Sequence, residues 1–160
     1  MKAEIRTMRD DDMDAVVELS LLAWAPVFAS FERVLGPQIY KRIYPDWQES
    51  QAEGVRQVCM DEDKEVWVAT VDGHVIGFIA YTLDHDKGHG EVYLLAVHPD
   101  YQNHGIGTDL NLFTLEKMRE RGMRLAVVGT GGDPGHAPAR RTYEKAGYTP
   151  LPLMRYYKAL

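Results

Sequence analysis

Hydrophobic and polar residues change their spacing along the first third of the chain. Residues 4–8 alternate with a period of two, which predicts a short strand. Between about residue 12 and residue 60, apolar residues recur at helical spacing on one face. We predict two or three helices there, interrupted at Pro26, at Gly36–Pro37 and at Pro45. The chain therefore opens with a strand and a helical layer.

The next stretch carries three strand patterns. Residues 65–71 and 74–81 are rich in β-branched and aromatic residues and flank Asp72–Gly73, a tight hairpin signal. A polar turn over residues 84–90 leads to residues 91–97, which are apolar almost throughout and are expected to be covered on both faces. This region predicts an antiparallel meander of three strands.

The last part of the chain mixes both periods. We predict a helix from Gly105 to about Arg121, a buried strand over residues 124–129, a short helix over residues 138–146 and a strand-like tail from Tyr148. The full order of elements predicts a mixed α/β fold. It differs from the regular strand–helix alternation of a Rossmann domain.

The length and charge of the chain narrow its class. The 160 residues are about one domain long, and we expect residues 1–160 to form a single domain. The composition is 45% hydrophobic, as in ordinary globular proteins. Because the net charge is −6 and no basic stripe is present, we do not expect nucleic-acid binding. The acidic balance is compatible with a cationic amine as partner.

Signals for disulfides, metals and membranes are weak. Cys59 is the one cysteine, which excludes an intrachain disulfide and a cysteine-rich metal site. The six histidines lack metal-ligand spacing, so we predict no metal. The first residues contain no apolar signal region, and no apolar run approaches membrane-spanning length. We therefore expect a cytoplasmic protein without a membrane partner.

A glycine loop joins the third strand of the meander to the next helix. Gly105 and Gly107 open that helix, where unpaired backbone N–H groups and the positive end of the helix dipole favour an anion. A dinucleotide fingerprint would need a third glycine where Leu110 stands, and no Gly-Lys-Ser/Thr follows for a Walker loop. A pyrophosphate cradle and a plain turn without a ligand both remain open.

The surrounding residues make the loop more specific. Residues 95–107, Leu-Ala-Val-His-Pro-Asp-Tyr-Gln-Asn-His-Gly-Ile-Gly, closely resemble the acetyl-CoA signature of the GCN5-related N-acetyltransferase superfamily. Gln102, Gly105 and Gly107 match its fixed positions. The resemblance implies that the pyrophosphate is bound by backbone N–H groups of Gln102, Asn103, His104, Gly105, Ile106, Gly107 and Thr108.

A second segment supports the same family. Residues 139–148 look like its later motif, Ala-x-x-x-Tyr-Glu-Lys-x-Gly-Phe/Tyr, and the resemblance as a whole covers about residues 65–149. It implies that Ala139 and Tyr143 contact the cofactor. The family often has Asn seven residues before the tyrosine, whereas His136 stands there in this chain. In this chain His136 could contact the cofactor or cap the helix in place of that Asn, and we predict it to be a cofactor-binding residue.

The resemblance implies an acetyl-CoA-dependent N-acetyltransferase. The acetyl group would pass directly from the thioester to a primary amine of a small molecule, peptide or protein. The implied fold is a mixed α/β one, with a central, mostly antiparallel sheet of about six or seven strands flanked by about four or five helices. The alternatives are a non-catalytic acyl-CoA-binding sensor or interaction module and, less in keeping with the loop, a nucleotide-binding domain.

Two side chains are candidates for the chemistry. The resemblance implies that Tyr143 is the general acid toward the CoA sulfur, although an amphipathic-helix tyrosine could simply pack on the sheet. Glu91, at the start of the apolar strand, is our candidate base, although it could be a solvated strand-start residue. His85, His89 and His136 are rivals because histidine titrates near neutral pH.

The resemblance also assigns roles to backbone and to larger surfaces. It implies that the strand Leu95, Ala96 and Val97 splays from its neighbour and pairs with the pantetheine arm through its backbone. The aromatic N-terminal helices would form most of the acceptor site. By analogy with family members that dimerise, residues 153–157 could form a homodimer contact.

Overall fold

The computed structural model describes residues 2–160. Within that range the chain forms a mixed α/β fold of five strands and five α-helices. The strands are β1 (Glu4–Thr7), β2 (Lys64–Val71), β3 (His74–Asp84), β4 (His89–Val97) and β5 (Leu125–Val128). The helices are α1 (Met13–Leu35), α2 (Pro37–Ile43), α3 (Trp47–Met60), α4 (Ile106–Glu120) and α5 (Ala137–Lys145). The predicted order of elements is confirmed up to the end of α5.

One sheet contains all five strands in the order in which they occur along the chain. The pairs from β1 to β4 are antiparallel, and β5 lies parallel to β4. The parallel pair follows from its connection, because α4 carries the chain back across the sheet before β5 begins. The predicted mixed fold with a mostly antiparallel sheet is therefore confirmed.

Helices cover both faces of the sheet. On one face α1 and α3 enclose a core of Val16, Val17, Leu19, Val55, Val68, Phe78 and Ala96. On the other face α4 contributes Ile106, Leu110 and Met118 to a core with the strand residues Ala69, Ile76, Ile79, Tyr81 and Val92. Strand β4 contributes to both cores, which explains its almost continuous apolar sequence.

The strand predicted from Tyr148 onward is wrong. Residues 149–160 form no regular structure, so the sheet has five strands rather than six or seven. Pro150 and Pro152 lack the N–H groups that a strand donates to its neighbours. Most large apolar side chains of this tail are exposed to solvent, so no core holds it against the sheet.

The helix interruption predicted at Pro26 is also wrong, because α1 runs unbroken from Met13 to Leu35. Its buried face packs on the sheet and outweighs the loss of one hydrogen bond. Pro26 has no N–H, so the carbonyl of Leu22 has no helical donor four residues on. By length and hydropathy, residues 10–35 could span a bilayer, a test that core helices also pass, and part of this stretch is buried in the fold.

Candidate functional site

Strands β4 and β5 separate partway along their length and open a cleft. Only residues 89–92 of β4 pair with Leu125–Val128, so residues 93–97 have no strand partner on that edge. The cleft measures about 660 Å³ and reaches from α1 across β4 to α5. Backbone groups of residues 93–97 that do not face β3 are therefore available to a ligand.

A β-bulge marks the point of separation. In the β3–β4 ladder Ala80 pairs with Leu94 and Tyr81 pairs with Val92, so Tyr93 is an extra residue without a partner. A bulge bends its strand and raises its local twist. The bulge at Tyr93 therefore turns the second half of β4 away from β5, as the sequence resemblance implied for this strand.

The loop after β4 is fixed by short-range contacts. A turn of 3-10 helix, Pro99–Tyr101, follows the strand, and the Gln102 side chain donates from Nε2 to the Val97 carbonyl at 2.9 Å. Asn103 adopts a φ of 64° and Gly105 a φ of 83°, both in the left-handed region. Glycine is favoured at position 105 because a Cβ is strained at this φ.

The first turn of α4 is open to an anion. No side chain caps the helix at Gly105, so the backbone N–H groups of Ile106, Gly107 and Thr108 have no partner within the helix. A Cβ at Gly105 would meet no atom within 4 Å, and one at Gly107 would make ordinary contacts to Thr142 and Val97. The space beside Gly105 is therefore free of protein atoms, and the helix dipole favours negative charge there.

Tyr143 lines the cleft from α5 and is 9% exposed. Burial, with the neighbouring Tyr148 adding a smaller effect, raises the pKa of its phenol to about 12. The two rings lie edge to face with centroids 5.8 Å apart. Tyr143 is thus protonated at neutral pH and can donate a proton into the cleft.

A hydrogen-bonded group of three side chains lies beside the cleft, and one of them, His136, belongs to its lining. Asp133 accepts a hydrogen bond from Ser30 Oγ of α1 at 2.6 Å, and its other oxygen contacts Nδ1 of His136. The side chains of His136 and Asp133 are only 16% and 11% exposed. Burial raises the pKa of Asp133, but the hydrogen bonds from Ser30 and His136 outweigh it and hold that pKa below its usual range.

The loop that carries this group is packed against itself and against α1. A Cβ at Gly131 would lie 2.5 Å from His136 Nδ1, and one at Gly135 would lie 2.6 Å from the Ser30 Cβ. Arg140 donates to the carbonyls of Gly131 and Asp133, each at 2.7 Å. Gly131 and Gly135 are therefore needed for close packing, and Arg140 fixes the backbone of the loop.

Most predicted cofactor-binding residues meet in the cleft. Its lining includes Leu95, Ala96, Val97, Gln102, Asn103, Gly105, Ile106, Gly107, Thr108, His136, Ala139 and Tyr143. His104 is not part of that lining; it is exposed, and its Nδ1 lies 3.3 Å from the Gln102 carbonyl. Glu91 is also outside the lining, exposed on β4 opposite Thr82 of β3 and Val127 of β5.

Sequence reasoning missed two parts of the site. One wall of the cleft consists of Leu22, Pro26 and Val27 of α1. The sequence marked this stretch by Pro26, a proline within a helical pattern. Ser30 and Asp133 were missed because they are 103 residues apart and meet only in the fold. Among residues 2–160, no three His, Cys, Asp or Glu side chains form a group that could hold a metal ion.

Relatives and solved structures agree with this architecture. The mycothiol acetyltransferase of Thermomonospora curvata is 37% identical over 84 residues, which are 52% of this chain and 27% of that protein. This chain thus spans about a quarter of that relative's length. The PaiA N-acetyltransferase of Thermoplasma acidophilum, solved in complex with coenzyme A, aligns with a TM-score of 0.67 at 19% identity, covering 93% of this chain and 91% of that one.

A second solved structure has the same fold. The ribosomal-protein-alanine N-acetyltransferase of Brucella melitensis biovar Abortus 2308 aligns with a TM-score of 0.61 at 20% identity, covering 99% of both chains. The model of the acetyltransferase (GNAT) family matches residues 31–148, which include the bulged strand, the glycine loop and Tyr143. With the splayed strands, the uncapped α4 and this match together, the chain belongs to the acetyltransferase (GNAT) family.

Proposed function

We propose that residues 1–160 form a single acetyl-CoA-dependent N-acetyltransferase domain that acetylates a primary amine. The observation that carries the proposal is the cleft between β4 and β5, with the uncapped start of α4 at one end and Tyr143 on its wall. Family membership supports the same reaction class. Acyl transfer to an amine needs a bound thioester, a polarised carbonyl and a route for protons, and this cleft offers groups for each.

The donor would lie along β4. Its pyrophosphate would accept hydrogen bonds from the N–H groups of Ile106, Gly107 and Thr108, and its pantetheine arm would pair with residues 93–97. Arg141 and Lys145 line the cleft from α5 and could neutralise phosphate charge. The similar structure from Thermoplasma acidophilum was solved in complex with coenzyme A, which supports a coenzyme A thioester as the donor. An N–H of β4 would then polarise the acetyl carbonyl.

Tyr143 would protonate the departing sulfur. Its raised pKa keeps the phenol protonated until the thiolate forms. Because a thiol is a stronger acid than this phenol, the proton would move to sulfur as the phenol is reprotonated from solvent. Glu91, the base predicted from the sequence, lies on the sheet outside the cleft lining and would reach the acceptor amine only through bridging water.

The acceptor end favours an amine next to an apolar group. Its wall consists of Leu22, Trp24, Pro26 and Val27 of α1 with Tyr93 of β4. The Leu22 carbonyl, which lacks a helical donor, could accept a hydrogen bond from the amine. Within residues 2–160 the cleft lining contains no aspartate or glutamate, which weighs against a polycation as the preferred acceptor.

An amine panel tests this proposal. We would follow thiol release from acetyl-CoA with phenethylamine, spermidine, sisomicin, a peptide with N-terminal alanine, and the acceptor of the mycothiol acetyltransferases. We expect turnover, with phenethylamine acetylated faster than spermidine. Binding of acetyl-CoA without turnover on any amine would contradict the proposal and favour a non-catalytic acyl-CoA-binding module.

The acid assignment is tested by Tyr143→Phe, which removes only the hydroxyl. We expect kcat to fall about 10²-fold, because general acid catalysis typically contributes that much or more. Acetyl-CoA affinity, measured by calorimetry, should hardly change. Tyr148→Phe is the matched control, since it removes a neighbouring buried hydroxyl that has no hydrogen-bond partner among residues 2–160. Equal kcat in both variants would remove Tyr143 from the mechanism.

Homodimer formation and a cytoplasmic location remain predictions. Leu151, Leu153, Met154 and Tyr156 in the tail are all largely exposed, and such apolar surface supports a contact between copies. Light scattering of the full chain, compared with a Leu153→Lys and Met154→Lys double variant, tests the dimer. A monomeric wild-type chain at micromolar concentration would contradict it.

A further inference from the structure

We propose that His136, oriented by Asp133 and Ser30, is the base that takes a proton from the acceptor amine. The inference rests on the proposed N-acetyltransferase function and names a proton acceptor within its cleft. His136 lies on the loop of residues 131–136, and binding of the donor does not require the hydrogen bonds and close packing of that loop.

The contact with Asp133 determines which nitrogen of the His136 ring carries the proton. A carboxylate can only accept, so the contact between Asp133 and Nδ1 means that Nδ1 carries the proton of the neutral ring. Nε2 then holds the lone pair and points away from Asp133. Because His136 lines the cleft, this nitrogen is the ring atom available to a ligand there. Glu91 has no comparable position, since it lies outside the cleft lining.

The Asp133 carboxylate is itself fixed by contacts to both of its oxygens. One oxygen of Asp133 accepts from Ser30 Oγ at 2.6 Å and from the Gly135 N–H at 3.1 Å, and its other oxygen faces His136. The same Gly135 N–H also points at Ser30 Oγ, at 3.0 Å. Both oxygens of Asp133 therefore have partners in α1, in its own loop or in the imidazole, which fixes the carboxylate beside the ring.

Close packing of the loop at Gly131 and Gly135 also restricts the position of His136. Any side chain at position 131 would push into the His136 ring, and any at position 135 would push Ser30 and α1 away. Arg140 clamps the loop from α5 through two carbonyls. The group differs from a nucleophilic triad, because the serine donates to the aspartate rather than to the histidine. Ser30 and Asp133 are thus positioning residues, and His136 is the one that would touch substrate.

The proton balance of the reaction is complete without another reactant. The acceptor ammonium gives one proton to Nε2 of His136, and the freed nitrogen lone pair forms the bond to the acetyl carbon. The carbon–sulfur bond breaks, its electron pair goes to sulfur, and sulfur takes the Tyr143 proton. The nitrogen loses its second proton to solvent, Tyr143 regains one from solvent, and His136 releases its own, for a net release of one proton.

Other groups surround this histidine and bear on its pH response. Phe31 of α1 lies 5.4 Å from the ring, centroid to centroid, and does not titrate. The titratable or charged groups around the loop are Asp133, Arg140 and Tyr143, with Tyr44 after α2 and Arg155 and Tyr157 of the tail beyond them. Among these, the Asp133 carboxylate is in direct contact with the ring, at Nδ1.

The first test uses whichever panel amine the wild-type chain acetylates. His136→Gln should lower kcat by about 10²-fold and change the pH profile. Because His136 also lines the cofactor cleft, kcat is measured at saturating acetyl-CoA. Asp133→Asn should also lower kcat, but less than His136→Gln, because an Asn oxygen can still accept from Nδ1 while it lacks the negative charge. His74→Gln, in the exposed β2–β3 hairpin, is the matched histidine control and should leave the profile unchanged.

Further readouts separate a base from a merely structural residue. Imidazole added to His136→Ala should raise its rate by about tenfold or more, since a free base replaces the missing one. Long-range ¹H–¹⁵N spectra of the free wild-type protein should report the neutral Nδ1–H tautomer at His136. A His136→Gln variant with wild-type kcat and pH profile, or a dominant Nε2–H tautomer, would overturn the proposal while N-acetyltransfer still stands. If no amine is acetylated, the proposed function fails first and the base falls with it.

Discussion

Two glycine-containing loops line the same cleft, and their glycines serve different purposes. In the loop of residues 102–108, a Cβ at Gly105 would meet nothing within 4 Å. In the loop of residues 131–136, a Cβ at Gly131 or Gly135 would collide with Asp133, His136 or Ser30. The first loop leaves room for something outside the protein, whereas the second brings parts of the protein closer together than other residues allow.

This difference separates a ligand cradle from a side-chain support. The first loop presents free N–H groups at the start of α4 and has no side-chain cap. The second loop has its polar groups bonded among Asp133, Ser30, His136 and Arg140. Glycine content alone therefore does not identify a phosphate site. The atoms that a Cβ would meet at each glycine distinguish a phosphate site from a tightly packed loop better than glycine content does.

The largest expected effect comes from adding negative charge to the first loop. Gly105→Asp should weaken acetyl-CoA binding about 100-fold or more, because a carboxylate would stand where the pyrophosphate is expected. Gly105→Asn is the matched control, since Asn has the same size and also tolerates a left-handed φ. Calorimetry should give Gly105→Asn only a several-fold loss. Equal losses in both variants would mean that shape rather than charge decides binding there.

The donor half of the site could be predicted from sequence, and the acceptor half only in part. Gln102, Gly105 and Gly107 act through backbone geometry that local sequence dictates, so a motif of neighbouring residues locates them. Ser30 and Asp133 meet across 103 residues, and no local pattern encodes that contact. The prediction of a strand in the tail was wrong because it relied on aromatic residues, which favour strands. Pro150 and Pro152 remove N–H donors that a strand needs.

A smaller effect is expected from filling the space of the second loop. Gly131→Ala should destabilise the fold by about 1–3 kcal/mol, since the new methyl group forces His136 and Asp133 apart. It should also lower kcat while acetyl-CoA affinity stays close to wild type. The matched control is Gly132→Ala, where a Cβ meets nothing within 4 Å and should change stability little. Urea unfolding and steady-state kinetics would measure both, and indistinguishable variants would show that the loop tolerates looser packing.

The smallest effect concerns the hydrogen bond that α1 gives to the second loop. Ser30→Ala removes the donor to Asp133, so we expect a loss of about 1 kcal/mol at neutral pH. Because the folded-state pKa of Asp133 lies below its usual value, the stabilisation is complete above about pH 5 and is lost as pH falls through that folded-state pKa. The stability difference between wild type and Ser30→Ala should therefore shrink below about pH 4. Ser20→Ala on the same helix removes a buried hydroxyl that donates to the Val17 carbonyl, and its cost should not depend on pH. If both serine variants follow the same pH dependence, Ser30 does not act through the Asp133 carboxylate. The two loops would then differ only in how closely they pack.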